Sequence, residues 1–161
     1  MEYTIDLISK SDVDGISAIE KASFKTPWSW ESIYGEATNP LARYLVAHAN
    51  GEVIGYAGAW LVIDEAHVTN VAVRGDCRGL GVGRALMERL IQLCADSGMT
   101  KMSLEVREGN TVARNLYTAL GFKADGLRKR YYEYTEDAVL MSKNDMPEGN
   151  PDNDPFIIYE P

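Results

Sequence analysis

Cysteine and histidine are scarce in this sequence, and neither is spaced for a metal site or a disulfide framework. The 161 residues include two cysteines, Cys77 and Cys94, which form no Cys-x-x-Cys pair. The two histidines, His48 and His67, share no spacing typical of metal ligands. We therefore expect no bound metal and no disulfide bonds.

Long apolar runs are missing as well. The chain contains no stretch of about 18 apolar residues, the length that a membrane-spanning helix requires. Its first residues do not combine a charged start with an apolar segment, as a secretory signal would. These absences argue against a membrane partner and against export, and we expect a cytoplasmic protein.

Basic residues are absent from the end of the chain. The formal net charge is −8, and residues 144–161 carry five of the 24 acidic residues but none of the 16 basic ones. An acidic balance argues against nucleic acid as the main partner and is compatible with a basic peptide. The same segment is rich in Pro, Gly, Asn and Asp, which predicts one domain over residues 1–143 and a mobile tail over residues 144–161.

The remaining sequence predicts a mixed α/β domain. Hydrophobic content of 45% and charged content of 25% are typical of a globular protein. Apolar periodicity predicts the order β-α-α-β-β-β-α-β-α-β-β, with Asn50-Gly51 joining two strands as a hairpin. Thr111 is the predicted cap of the last helix. We find no internal repeat.

A glycine-rich loop between a strand and a helix is the most informative local feature. Residues 71–84 read as an apolar strand, then glycines at positions 79, 81 and 83, then the start of a helix. A helix begins with backbone N–H groups that have no intrahelical partner, and its dipole favours an anion there. Arg78 and Arg84 add positive charge, so the loop predicts a phosphate-bearing ligand. The alternative is an ordinary turn that uses glycine for its positive φ.

Two well-known phosphate loops do not match these residues. A Walker loop needs a lysine after the last glycine, and none is present. The dinucleotide fingerprint needs Gly or Ala at a position where this chain has Arg84 in one register and Leu86 in the other. What remains is Arg78-x-x-Gly81-x-Gly83.

That pattern resembles the pyrophosphate loop of the GNAT acetyltransferases, whose ligand is acetyl-coenzyme A. The resemblance extends from about Tyr3 to Lys143 and is closest to the RimI-like enzymes, which acetylate the N-terminal alanine of a small-subunit ribosomal protein. It also rests on motifs elsewhere in the chain: Thr26-Pro27-Trp28-Ser29, Asp64-Glu65-Ala66, Asn70-Val71-Ala72-Val73, Leu104-Glu105-Val106-Arg107, Asn110, Leu116-Tyr117-x-x-Leu120-Gly121-Phe122 and Arg130-Tyr131-Tyr132. It implies the GNAT fold, a central mixed, mostly antiparallel sheet flanked by helices.

The resemblance assigns roles to individual residues. Glu105, on the polar face of its strand, corresponds to the catalytic base, and Tyr117 to the acid that protonates the leaving thiolate. The cofactor-binding positions are Val71, Ala72, Val73, Arg78, Gly79, Leu80, Gly81, Val82, Gly83, Arg84 and Asn110. The predicted walls of the acceptor groove are Trp28, Trp30, Tyr131 and Tyr132, for which core packing is the competing explanation.

Several alternatives stay open at this point. The acceptor can be a protein N-terminus, a lysine side chain, a polyamine or another small amine. A non-catalytic acyl-CoA-binding module is a hypothesis of a different class, although a module without catalysis has no need for both Glu105 and Tyr117. The sequence does not decide between a monomer and a weak dimer. A further hypothesis is that the acidic tail docks near Arg74, Arg78 and Arg84 and competes with a ligand; the alternative is a solvated tail without a partner.

Overall fold

The structure is a computed structural model, and it describes residues 1–132 and 136–156, except for the side chain of Arg130. Seven strands and four α-helices follow one another in the predicted order. The strands are β1 (Thr4–Leu7), β2 (Ala42–Ala49), β3 (Glu52–Val62), β4 (Glu65–Val73), β5 (Lys101–Arg107), β6 (Lys123–Tyr132) and β7 (Glu136–Lys143). The helices are α1 (Val13–Ser23), α2 (Trp30–Glu36), α3 (Val82–Asp96) and α4 (Thr111–Ala119).

The strands form one sheet in the order β1-β2-β3-β4-β5-β7-β6. Among the described strands, β4 and β5 pair in parallel and all other neighbours are antiparallel. The prediction of a mixed, mostly antiparallel sheet flanked by helices is confirmed. Asn50 and Gly51 turn between β2 and β3 with φ of 53° and 78°, the left-handed pair that a tight hairpin turn requires.

Helices cover both faces of the sheet because successive strand side chains point to opposite sides. On one face, α3 contributes Leu86, Leu90 and Cys94 to the larger core, together with Tyr117 and Phe122. On the other face, Val13, Ile16 and Ile19 of α1 pack with residues of α2 and the sheet. Cys94 is fully buried, as its place on the apolar stripe of α3 indicates.

Residues 144–156 lie against the domain, with partners that composition did not predict. The backbone N–H of Asn150 donates to the Asp96 carboxylate at 2.8 Å. The Arg43 guanidinium, 3% exposed, pairs with Asp154 at 2.9 Å and stacks over the Phe156 ring at 4.5 Å. These contacts lie at the C-terminal end of α3, not near Arg78 and Arg84. The remainder of the predicted tail, residues 157–161, lies outside the described residues.

Candidate active site

A cleft opens where β4 and β5 separate. In the part of the chain that the structure describes, their parallel pairing joins Glu65–His67 to Lys101–Ser103 and goes no further. A register shift against β3 near Thr69 locally distorts β4 at the same level. The far end of β4, residues 71–73, therefore keeps β3 on one side and leaves its other edge to the cleft.

The cleft contains a cavity of about 270 Å³ that brings several predicted site residues together. Its lining includes six of them: Trp28, Val71, Glu105, Asn110, Tyr117 and Tyr132. The cavity also takes in residues that sequence analysis did not assign: Glu20, Phe24, Thr26, Val68, Thr69, Asn70, Leu104, Val106, Arg107 and Ala113.

Glu105 is placed on this cavity by the alternation of β5. Met102, Leu104 and Val106 are buried in the core, so Glu105 projects from the opposite face. Its side chain is 15% exposed and lies 3.3 Å from the Arg128 guanidinium of β6. The carboxylate also accepts a hydrogen bond from the Tyr131 hydroxyl, and this bond is the main reason that the pKa of Tyr131 is raised.

Tyr117 belongs to α4 and packs in the larger core with Leu104 and Val106, so it lies on the face of β5 opposite Glu105. The residue is 8% exposed, and its ring meets Phe122 edge to face with centroids 5.8 Å apart. Burial raises its pKa to about 12. The phenol therefore stays protonated throughout the neutral range and can donate a proton or a hydrogen bond.

Tyr132 and Asn110 close other sides of the cavity. The Arg107 guanidinium lies over the Tyr132 ring at 4.2 Å, and burial raises the Tyr132 pKa to about 12. Asn110, rather than the predicted Thr111, caps α4, because its side-chain oxygen accepts from the Ala113 N–H at 3.2 Å.

The glycine loop lies beyond the end of β4 and does not line the cavity. Gly79 and Gly81 have φ of 77° and 82°, so they occupy the left-handed region that favours glycine. Gly81 caps α3, and Val82, Gly83 and Arg84 form its first turn. The predicted cofactor positions thus extend from Val71 in the cavity, past Ala72 and Val73, to this loop, and a ligand that contacted both would be elongated.

The two loop arginines have partners of their own. Arg78 donates from Nε to the Val73 carbonyl oxygen at 3.0 Å, which fixes the loop to the end of β4. Arg84 pairs with Glu88 one turn further along α3 at 2.7 Å, with both side chains more than half exposed. The Arg84–Glu88 ion pair is exposed, so it is weak and can be given up for a phosphate. Leu80, also in this loop, is 56% exposed.

Two of the predicted groove residues do not line the cavity. Trp30 begins α2, stacks on Tyr34 with ring centroids 5.1 Å apart and donates to Asp14 at 2.8 Å. Tyr131 is 45% exposed and reaches the site only through its hydroxyl on Glu105.

Sequence analysis did not assign Glu20, Asn70 or Arg128 to the site. The sequence did contain a sign that Glu20 is special: it stands four residues after Ile16 and so falls on the buried stripe of α1, where a carboxylate is unusual. Asn70 and Arg128 had no comparable signal, since their roles depend on strands that are distant in sequence.

Within the described ranges no group of three or more His, Cys, Asp or Glu could hold a metal, and no helix there is long and apolar enough to cross a membrane.

Comparisons with known proteins agree with this geometry. Residues 13–122 match the model of the acetyltransferase (GNAT) family. The [ribosomal protein bS18]-alanine N-acetyltransferase of Escherichia coli (strain K12) is 36% identical over 144 residues, which are 86% of this chain and 95% of that protein. A Bacillus subtilis (strain 168) protein that carries the same name provisionally is 40% identical over 132 residues, 81% of this chain and 87% of that one.

A solved structure gives the same result. The crystal structure of the ribosomal-protein-S18-alanine N-acetyltransferase from Escherichia coli superposes with a TM-score of 0.83 and 30% identity, covering 99% of this chain and 100% of that one. The family model spans well over half of the chain, and the curated relatives cover most of it. The chain therefore belongs to the GNAT family of acetyltransferases.

Proposed function

We propose that this acetyltransferase transfers the acetyl group of acetyl-CoA to the N-terminal α-amine of a protein, with the N-terminal alanine of a small-subunit ribosomal protein as its acceptor. The observation that carries the proposal is the cavity at the separation of β4 and β5, which is lined by Glu105, Tyr117 and Val71 together. The names of the Escherichia coli and Bacillus subtilis relatives support the choice of acceptor.

The chemistry needs three groups, and the cavity offers a candidate for each. The amine nitrogen attacks the thioester carbonyl, a C–N bond forms, and the C–S bond breaks as the thiolate leaves. Glu105 accepts the proton that the amine gives up, directly or through a water. Tyr117 gives a proton to the thiolate, and a backbone N–H of the open β4 edge stabilises the developing oxyanion.

An α-amine suits this site better than a lysine side chain does. An α-amino group has an ordinary pKa of about 7.7–8.0 and a lysine side chain about 10.4. A carboxylate base therefore meets a substantial population of neutral α-amine at neutral pH. The net charge of −8 also favours an acceptor protein with a basic N-terminal region.

The fit of acetyl-CoA rests on the open strand edge and the glycine loop. The free edge of β4 can pair with an extended pantetheine arm in the manner of an added strand. The N-terminal turn of α3, with left-handed Gly79 and Gly81 before it, offers backbone donors to the pyrophosphate.

The test compares two synthetic peptides in a mass-spectrometric assay with acetyl-CoA. One carries the ribosomal N-terminal alanine, and the other has the same sequence with a blocked N-terminus and an internal lysine. We expect acetylation of the first peptide at its α-amine and none of the second, with Glu105→Gln as the control for enzyme-dependent transfer. Acetylation of lysine, or of polyamines alone, would overturn the choice of acceptor. Binding of acetyl-CoA without any transfer would indicate a non-catalytic module.

A further inference from the structure

A second carboxylate, Glu20, lies in the wall of the same cavity. It comes from α1, on the side of the sheet opposite α3, and only 1% of the residue is exposed. Burial raises the pKa of Glu20, and the Asn70 side chain, which donates to the carboxylate, opposes that shift. The nearby Tyr56 hydroxyl and Trp28 backbone act in the same direction as Asn70. The Tyr56 hydroxyl is buried close to Glu20, and burial together with the Glu20 charge raises the pKa of Tyr56.

The partner of Glu20 on the sheet is held in one orientation. Asn70 lies on β4, directly before Val71, and its side-chain oxygen accepts from the Tyr44 hydroxyl at 2.7 Å and from the Thr69 hydroxyl at 2.9 Å. The side-chain NH₂ of Asn70 is therefore the group that faces Glu20, and it donates to the Glu20 carboxylate. This chain of bonds links α1 to the strand whose open edge faces the cleft.

Trp28, which also lies close to Glu20, belongs to the proposed acceptor side of the cavity. Trp28 lies in the connection between α1 and α2, which contributes Phe24, Thr26 and Trp28 to the lining. The connection has no helix or strand of its own, so a few specific contacts determine its position. The Trp28 ring packs on Trp60 with centroids 5.7 Å apart, and the Trp28 backbone lies close to the Glu20 carboxylate in the wall of the cavity.

We propose that Glu20 is a positioning residue of the acceptor site, which holds the Trp28 connection against Asn70 so that the acceptor amine enters facing Glu105. The inference rests on the proposed function, because it concerns the binding of that acceptor. Glu20 does not act as a second base, since its carboxylate is enclosed and already accepts from Asn70. Its loss should therefore weaken acceptor binding and leave proton transfer intact.

The experiment measures steady-state kinetics of the full-length chain with the N-terminal alanine peptide, and determines KM for each substrate across pH. For Glu20→Ala we expect the peptide KM to rise about tenfold or more, the loss typical of a hydrogen bond to a charged group. The KM for acetyl-CoA and the pH profile of kcat should stay as in the wild type. Glu20→Gln, which can still accept from Asn70, should recover part of the peptide affinity.

Two further variants separate positioning from a general loss of stability. Asn70→Ala should also raise the peptide KM, and combining it with Glu20→Ala should add little, because both changes break one link. Asp12→Ala is the matched control: Asp12 is a buried carboxylate at the other end of α1, paired with His48 at 2.7 Å. It should lower the melting temperature and leave the peptide KM unchanged.

Failure of the inference differs from failure of the proposed function. If the wild type acetylates the peptide while Glu20→Ala and Asn70→Ala keep its KM, the positioning role is wrong. If Glu20→Gln loses kcat with an altered pH profile, Glu20 is a catalytic group instead and the inference is overturned. If the wild type acetylates no N-terminal peptide, the proposed function is overturned, and the inference with it. Should Glu20→Ala fail to fold, Glu20→Gln and Asn70→Ala decide the matter.

Discussion

The Glu105 carboxylate and the Tyr117 phenol, which we propose as base and acid, lie in different surroundings. Glu105 is partly exposed, lies 3.3 Å from the Arg128 guanidinium and accepts a hydrogen bond from the Tyr131 hydroxyl. Tyr117 has an apolar environment that raises its pKa to about 12 and keeps the phenol neutral. Proton transfer from amine to carboxylate and from phenol to thiolate is consistent with both environments.

Substitution at these two positions tests the assignment. Glu105→Gln keeps the shape and removes the basicity, so we expect kcat to fall about 10²-fold or more near neutral pH. The deficit should shrink as pH rises, because the population of neutral amine grows. Tyr117→Phe should lower kcat at every pH below the raised pKa of the phenol and leave acetyl-CoA affinity nearly unchanged. Rates equal to the wild type in both variants would mean that solvent carries the protons.

At the scale of the element, the predicted binding of acetyl-CoA depends mainly on the loop before α3. Gly79 and Gly81 are left-handed, and a Cβ added at Gly81 would meet no heavy atom within 4 Å. The side chain of a substituted residue would therefore project into open space at the helix N-terminus, where we expect the pyrophosphate. The positive φ adds a conformational cost for a branched side chain.

Gly81→Val should weaken acetyl-CoA binding by at least about tenfold, or 1.4 kcal/mol, in isothermal titration calorimetry. Gly98→Val is a matched control. Gly98 lies just after the other end of α3, has φ of 89° and likewise has nothing within 4 Å of an added Cβ. It should show a similar loss of stability and unchanged affinity. Equal affinity in a folded Gly81→Val variant would contradict the pyrophosphate assignment.

At the scale of the whole molecule, residues 144–156 close one end of the domain. Gln92 donates to the Glu148 carbonyl oxygen at 3.0 Å, and Asp154 neutralises the buried Arg43. Gly149 passes so close to α3 that an added Cβ would collide with the Ala95 carbonyl oxygen. The glycine loop, where we expect the pyrophosphate, lies at the opposite end of this 15-residue helix, about 22 Å away at 1.5 Å per residue.

We therefore expect this segment to contribute to stability and not to compete for the cofactor loop. Asp154→Ala leaves the buried Arg43 without its carboxylate, which should lower the free energy of unfolding by about 3 kcal/mol. For a domain of this size that corresponds to a melting temperature lower by roughly 6–12 °C in calorimetry.

Glu148→Ala is the control, because it removes the same charge from the same segment and keeps the carbonyl that Gln92 binds. A variant truncated after Lys143 should lose at least as much stability as Asp154→Ala and keep the KM for acetyl-CoA. A lower KM for either substrate after truncation, most pronounced at low salt, would instead support the hypothesis that the tail competes with a ligand.

Local patterns in the sequence were sufficient for the elements and for part of the site. Alternation in residues 102–107 predicted both the strand and the face from which Glu105 projects, and the glycines at 79 and 81 predicted the turn before α3. These features depend on residues close in the chain, since strand alternation, helical spacing and positive φ are properties of a few neighbouring residues. The family resemblance added roles to Glu105 and Tyr117, which remain to be tested by kinetics.

Contacts between distant segments were decided by the tertiary structure alone. Glu20 meets Asn70 across 50 positions, and Arg43 meets Asp154 across 111. Neither pairing leaves a periodic trace in the sequence, because it depends on how α1 and the final segment pack on the sheet. Sequence by itself determined a GNAT domain with the order of its elements along the chain, and predicted a phosphate loop and a candidate acid and base. Only the folded chain decided which residues line the cavity and that residues 144–156 lie against α3, since burial and charge pairing arise from packing rather than from local spacing.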